Sequence, residues 1–194
     1  MKKSKIFNAQ EVQAIISGNK TQFREALKHP ENYEKLGTWD IKCPYRIGRK
    51  IFVKENFRIP YSEICYDYYD ARFPSKDFTD QLPKWANGQY DWPLSAQHMK
   101  QEQSRLTLLI KEIRVERLSE ISEEDCWKEG LEEFADYQDQ VKICEMAKRL
   151  GECIEDPKPT FAVWWNTTHK KPEEKFEASP WVWVISFEVE NENE

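Results

Sequence analysis

Glycine is scarce in this chain, six among 194 residues, and none stands in a G-x-G-x-x-G or Walker-type run. A glycine-rich loop that cradles phosphates is therefore excluded. No G-x-S-x-G elbow offers a strained nucleophilic serine. His29, His98 and His169 are isolated, and no H-x-E accompanies a P-C-x-x-C, so the zinc-deaminase ligand set is missing. Five cysteines (Cys43, Cys65, Cys126, Cys144 and Cys153) form no C-x-x-C pair, and the odd count argues against a disulfide framework. Long apolar runs are absent too: the longest, Trp181 to Ile185, is far too short to span a bilayer. The basic start Met1-Lys2-Lys3-Ser4-Lys5 leads into no apolar signal segment. These absences predict a soluble, reduced, cytoplasmic protein with no membrane association, metal or cofactor.

Positive charge is not in excess either. The net charge is −6, with 33% charged and 39% hydrophobic residues. Strong binding to duplex DNA, which needs many phosphate-neutralising cations, is not expected. A local basic groove or a single nucleoside ligand stays compatible with that balance. The length suits one domain over 1–190 with a sizeable core, and the acidic 191–194 tail is expected to be solvated.

What is present begins with a short amphipathic helix. Asn8 and Glu11 have capping-box spacing, Val12, Ile15 and Ile16 fall on one face, and Gly18 suits a helix-ending left-handed residue. A second short helix is expected over Gln22 to Lys28. Residues 50–59 have the β-branched and aromatic content of a strand. Leu106, Leu108 and Ile110 alternate, and Ile113 and Val115 resume after a shift of one, which predicts a long strand with a bulge near Lys111 or two strands in sequence. Arg105, Lys111, Arg114 and Arg117 would form a basic stripe along it, or simply a solvated face. Ser122 caps a helix with acids in its first turn. A polar amphipathic helix follows from Leu131 to Cys153, ended by Pro157 and Pro159, then a helical turn at Phe161–Asn166. Trp181, Trp183, Ile185, Phe187 and Val189 share one face of a last strand whose other face is also apolar, which predicts a central position.

Two segments break this pattern, at about 60–93 and 131–158, and read as insertions. The first holds nine aromatics (Tyr61, Tyr66, Tyr68, Tyr69, Phe73, Phe78, Trp85, Tyr90 and Trp92). Its acids outnumber its bases, which suits a lid or scaffold better than a phosphate-tracking surface. Strands scattered among helices without βαβ alternation predict an α+β fold built on a curled sheet or small barrel.

Four separated segments, read in order, carry a family resemblance. They are Gly18 to Thr21, Cys43 to Glu55, Arg105 to Leu108 running on through Val115 to Gly130, and Ser179 to Phe187, with Ser95-Ala96-Gln97-His98-Met99 before the long strand. Together they resemble the ASCH-domain proteins, in the larger version common in bacteriophages and prophages. The resemblance implies a PUA-like small β-barrel with flanking helices, related to RNA-binding modules, and a nucleoside, nucleotide or RNA base as ligand. One branch of that family hydrolyses the acetyl amide of N4-acetylcytidine with a lysine, a threonine and a glutamate. Lys20 matches that lysine and Glu129 that glutamate. The second threonine of the Gly-x-Lys-Thr-x-Thr motif corresponds to Phe23 here, which leaves Thr21 to substitute. The resemblance thus implies Lys20, Thr21 and Glu129 as catalytic or ligand-binding residues. Glu55 joins them if its strand face lines the same cavity. Hydrolysis of an N-acyl cytidine and simple binding of a base both remain open. The alternative is a non-enzymatic phage accessory protein that binds a host protein or RNA through the aromatic insertion.

Overall fold

Alternation, capping residues and turn glycines give this chain seven strands and four α-helices among the residues that a computed structural model describes, which are 3–28, 43–58, 65–66, 95–131 and 140–190. In chain order they are β1 (Lys3–Ile6), α1 (Ala9–Ile16), β2 (Gln22–Ala26), β3 (Lys50–Lys54), β4 (Phe57–Arg58), β5 (Cys65–Tyr66), β6 (Thr107–Arg117), α2 (Glu123–Lys128), α3 (Gln140–Leu150), α4 (Pro157–Thr168) and β7 (Trp181–Glu190). Five strands form one mixed sheet in the order β1-β3-β6-β7-β2. β1 runs parallel to β3, while β3 with β6 and β2 with β7 are antiparallel.

The fold is α+β, as expected, but the sheet is open. Its order begins at β1 and ends at β2, and no further described strand joins those two edges to close a barrel. No helix among the described residues is long and apolar enough to cross a membrane. The chain divides into two compact units, Met1–Gln13 with Lys50–Leu109 and Val189–Glu194, and Ala14–Arg49 with Ile110–Glu188.

In the first unit, the expected capping box opens α1: Asn8 N–H donates to Glu11 Oε2 at 3.0 Å and Glu11 N–H to Asn8 Oδ1 at 2.9 Å. β1 was hidden in the basic N-terminus. It pairs Lys3 with Ile51 through to Ile6 with Lys54, so its order comes from the ladder rather than from its own apolar content. Ile51 and Val53 are buried. Of the aromatic insertion, Cys65–Tyr66 is described and forms β5, with Tyr66 opposite Phe57 of β4; the rest of 60–93 lies outside the described residues.

From α1 onward the chain departs from several expectations. Val12, Ala14 and Ile15 are the buried positions of α1, and Ile16 is 42% exposed, so the apolar stripe is narrower than predicted. Gln22 to Ala26 is a strand, not a helix. Its residues are good helix formers, but five consecutive pairs with β7, from Gln22 opposite Ser186 to Ala26 opposite Val182, override that preference. β6 is one continuous strand of 11 residues. β7 is flanked by β6 and β2, which agrees with the central position read from its doubly apolar pattern. Of the helix expected over Leu131 to Cys153, α3 is described over Gln140–Leu150, and 132–139 lie outside the described residues.

Pro157 and Pro159 do not end a helix; they begin α4. Asp156 is the N-cap and Pro157 takes the first helical position, where its missing N–H has no partner to lose. Phe161–Asn166 is therefore the middle of a 12-residue helix. Phe161 and Trp165 enter a core with Leu118, Ile143, Phe176 and Val182.

Candidate functional site

Lys20 is fixed by its backbone before its side chain is considered. Gly18 ends α1 with φ 82°, and Lys20 N–H donates to Ala14 C=O at 2.8 Å. Lys20 then makes an isolated antiparallel β-bridge with Glu129. Glu129 is the C-cap of α2, a helix started by Ser122, whose hydroxyl accepts from Asp125 N–H at 3.2 Å. Gly130 follows with φ 83°, and a Cβ there would lie 2.6 Å from Ala14 Cβ and 3.0 Å from Lys20 Cβ. Only glycine allows both that conformation and that approach.

The side chains then meet. Lys20 Nζ donates to Glu129 Oε2 and to the Glu129 carbonyl, each at 2.9 Å. Both residues are 1% exposed. Arg24 Nη1 donates to the other Glu129 oxygen at 2.7 Å. Its Nη2 reaches Asp125 Oδ2 at 2.9 Å and Glu116 Oε1 at 2.7 Å. Arg114 closes the set, with Nε 3.2 Å from Glu116 Oε2 and an ion pair to Asp125. Three cations (Lys20, Arg24 and Arg114) thus meet three carboxylates (Glu116, Asp125 and Glu129). Gln22 Nε2 donates to the Asp125 carbonyl at 2.9 Å.

Aromatic faces of α4 bound the cluster. Lys20 Nζ lies 5.3 Å from the Trp164 ring centroid, and the Arg24 guanidinium carbon 5.8 Å from that of Phe161. Both fall within cation–π range. Burial alone would lower the Arg24 pKa, but Glu129 and Glu116 outweigh it and hold the guanidinium above its ordinary value. Burial is also the main cause that pushes the neighbouring Cys126 thiol up to about 12, with Arg24 opposing and Glu129 adding. At neutral pH Cys126 is a thiol and not a nucleophile.

The structure brings Lys20 and Glu129 together. Thr21 is exposed; its N–H donates to Lys128 C=O at 2.9 Å and its C=O accepts from Phe187 N–H at 2.8 Å. Phe23 is buried, with its ring centroid 5.3 Å from Tyr45 and 6.0 Å from Phe187. Glu55 belongs to the first unit, where both of its oxygens accept from Arg105 at 2.8 Å. Of the expected basic stripe, Arg114 enters the cluster. Arg117 packs 4.3 Å from the Trp181 ring, and Lys111 pairs with Glu188 at 2.8 Å.

Sequence reasoning missed Gln22, Arg24, Glu116 and Asp125. With 22–28 read as a helix, Lys20, Gln22 and Arg24 fall on different faces. With period two they form one polar row, and Asp125 and Glu129, four apart across α2, face it.

No protein-family model matches the chain, and no curated protein matches it. Among solved structures it is similar to protein EF3133 from Enterococcus faecalis V583, of the family DUF984, with 12% identity and a TM-score of 0.40. The match covers 92% of this chain and 65% of that one, so the chain spans a little under two thirds of its length.

Proposed function

We propose that the chain is an ASCH-type protein that binds a nucleobase, as a nucleoside or within RNA, at Lys20 and Glu129, and that it binds without hydrolysing. On this reading the five-stranded sheet is part of the wall of a PUA-like barrel. The observation that carries the reading is the buried Lys20–Glu129 pair at 2.9 Å, held within a charge-balanced cluster.

A fold that needed only stability would gain little from such a cluster. The desolvation of buried ions commonly offsets their attraction, and apolar replacements of similar volume are often neutral or stabilising. We read this concentration of buried charge as a functional site rather than as a stabilising device. The pair also has the right chemistry for a base edge. An ammonium beside a carboxylate is a donor next to an acceptor, so a base that parts the pair would replace its ion-pair bonds with bonds from the carbonyl and exocyclic amine of cytosine.

Hydrolysis lacks support from the same geometry. Phe23 fills the second-threonine position with a buried ring, Thr21 is exposed, and the Cys126 thiol is protonated. No hydroxyl or thiolate among these is set to attack an acyl carbon. The test is a panel of cytidine, uridine and N4-acetylcytidine, read by thermal shift and by chromatography of the products. The expected outcome is stabilisation by at least one cytidine and no deacetylation. Release of acetate that Lys20→Met abolishes would overturn the binding-only reading, and no shift with any nucleoside would overturn the site.

A further inference from the structure

A groove that does not include Lys20 or Glu129 runs along another side of α4. Phe161 and Trp164 face Arg24 and Lys20, whereas Val163, Asn166, Thr167 and Lys170 line a groove of about 760 Å³. At helical spacing Asn166 falls roughly half a turn from Phe161 and Trp164, and Lys170 lies just past the end of the helix. α3 supplies the other wall, with Lys142, Met146 and Arg149, and the turn after α4 adds Lys175 and Glu177. The groove therefore has an apolar floor, from Met146 and Val163, and a rim of four cations against two carboxylates, Glu145 and Glu177. In a chain of net charge −6 that local excess is a reversal of sign.

Glu177 has fixed partners in the groove. Asn166 Nδ2 donates to it at 3.0 Å and Arg149 Nη1 lies 3.4 Å away, so its charge is compensated in place. Burial alone would raise its pKa. A bond from its own backbone N–H, the Asn166 bond and the Arg149 and Lys175 charges outweigh that and lower it. Lys170 is exposed on the groove's edge, and Lys175, whose charge also acts on Glu177, lines it beside Lys142 of α3.

We propose that this groove binds a short stretch of single-stranded nucleic acid, with phosphates on Lys170 and Lys175 and sugars or bases against Met146 and Val163. A strand is favoured over a duplex because the cations line a cleft between two helices, and a net charge of −6 disfavours a broad polyanion. The volume suits a few atoms' breadth of ligand at a time, as for a strand threading through, and falls within the range of ordinary ligand clefts.

The test is fluorescence anisotropy with a labelled octa-uridylate over a salt series, on wild type, Lys170→Gln/Lys175→Gln, and Lys50→Gln/Lys111→Gln. The last pair removes the same charge from exposed lysines outside the groove. The expected result is a Kd about tenfold weaker for the groove variant alone, with a log–log salt slope shallower by about 1.4, or about 0.7 for each phosphate that no longer meets a lysine. Because all four lysines are on the surface, unchanged melting curves confirm that the variants are folded. Equal weakening in both double variants would reduce the effect to bulk charge and overturn the site. So would failure of the octamer to bind at low salt, or competition by uridine monophosphate or a duplex as effective as by the octamer. Cytidine carries no phosphate, so its binding at Lys20 is read separately and neither result decides the other.

Discussion

Lys20 and Glu129 are joined twice, by a backbone β-bridge and by an ammonium that donates to both the carboxylate and the carbonyl of the same glutamate at 2.9 Å. The bridge fixes the register between the end of α1 and the end of α2, and the ion pair closes over it. Both side chains are buried and held by these bonds, so the pair is rigidly placed.

Breaking the pair from one side leaves a buried, uncompensated charge. Lys20→Met and Glu129→Gln are each expected to lower unfolding free energy by about 3–5 kcal/mol. The double variant should lose less than the sum of the two, with a coupling of about 0.5–3 kcal/mol. Urea denaturation of the four proteins checks this, and additive losses would show that the two residues act separately.

Gly130 separates close approach from backbone conformation. Gly130→Ala places a Cβ 2.6 Å from Ala14 Cβ at φ 83°, whereas Gly151→Ala, at φ 70°, meets nothing within 4 Å. The Gly151 variant is expected to cost about 1–2 kcal/mol, from the left-handed conformation alone. The Gly130 variant should cost a further 1–3 kcal/mol, roughly the range for overpacking. Equal melting temperatures for the two variants would contradict the packing described around Lys20.

Two groups make the fold sensitive to alkali. Burial raises the Cys126 thiol to about 12 from an ordinary 9.0, and burial followed by Glu25, which accepts from Tyr45 Oη at 2.8 Å, raises Tyr45 above its ordinary 10.0. The folded state keeps both protons where the unfolded chain has begun to release them. Their stabilisation is therefore complete below about pH 9 and falls as the pH climbs toward 12. Urea midpoints measured from pH 8 to pH 11 should decline, and Tyr45→Phe should make the decline shallower. At pH 8 a thiol reagent should label exposed Cys153 and leave Cys126 unmodified until the protein unfolds.

Ser122 acts on the site through α2. Its hydroxyl caps the helix that ends at Glu129, so Ser122→Ala is expected to cost about 1 kcal/mol. The loosened α2 should also weaken nucleoside binding, though Ser122 touches neither Lys20 nor Glu129 through its cap bond. A variant less stable by that amount with unchanged affinity would show that the cap supports the fold and not the site.

Local chemistry made the ends of elements legible. The Asn8–Glu11 box, Ser122 as cap and Gly18 as helix end each rest on residues whose partners lie within a few positions. The period-two pattern of β7 was equally plain, because both of its faces are apolar. Gln22–Ala26 was not, since a strand of glutamine, arginine and glutamate is made by pairing with β7, about 160 residues away in sequence. That one misreading hid most of the cluster, because Arg24 joins Glu129, Asp125 and Glu116. β1 was hidden for the same reason, its ladder with β3 being the source of its order. Pro157 and Pro159 were ambiguous by nature, as proline both ends helices and begins them.

The central claim is that Lys20 and Glu129 bind a base, and isothermal titration of cytidine tests it most directly. Wild type, Lys20→Met and Glu129→Gln should be compared at a temperature where circular dichroism shows all three folded. The account predicts measurable heat with wild type and a loss of at least about tenfold in affinity in each variant, roughly 1.4 kcal/mol. Equal binding of cytidine by wild type and both variants, or by none of them, would contradict it.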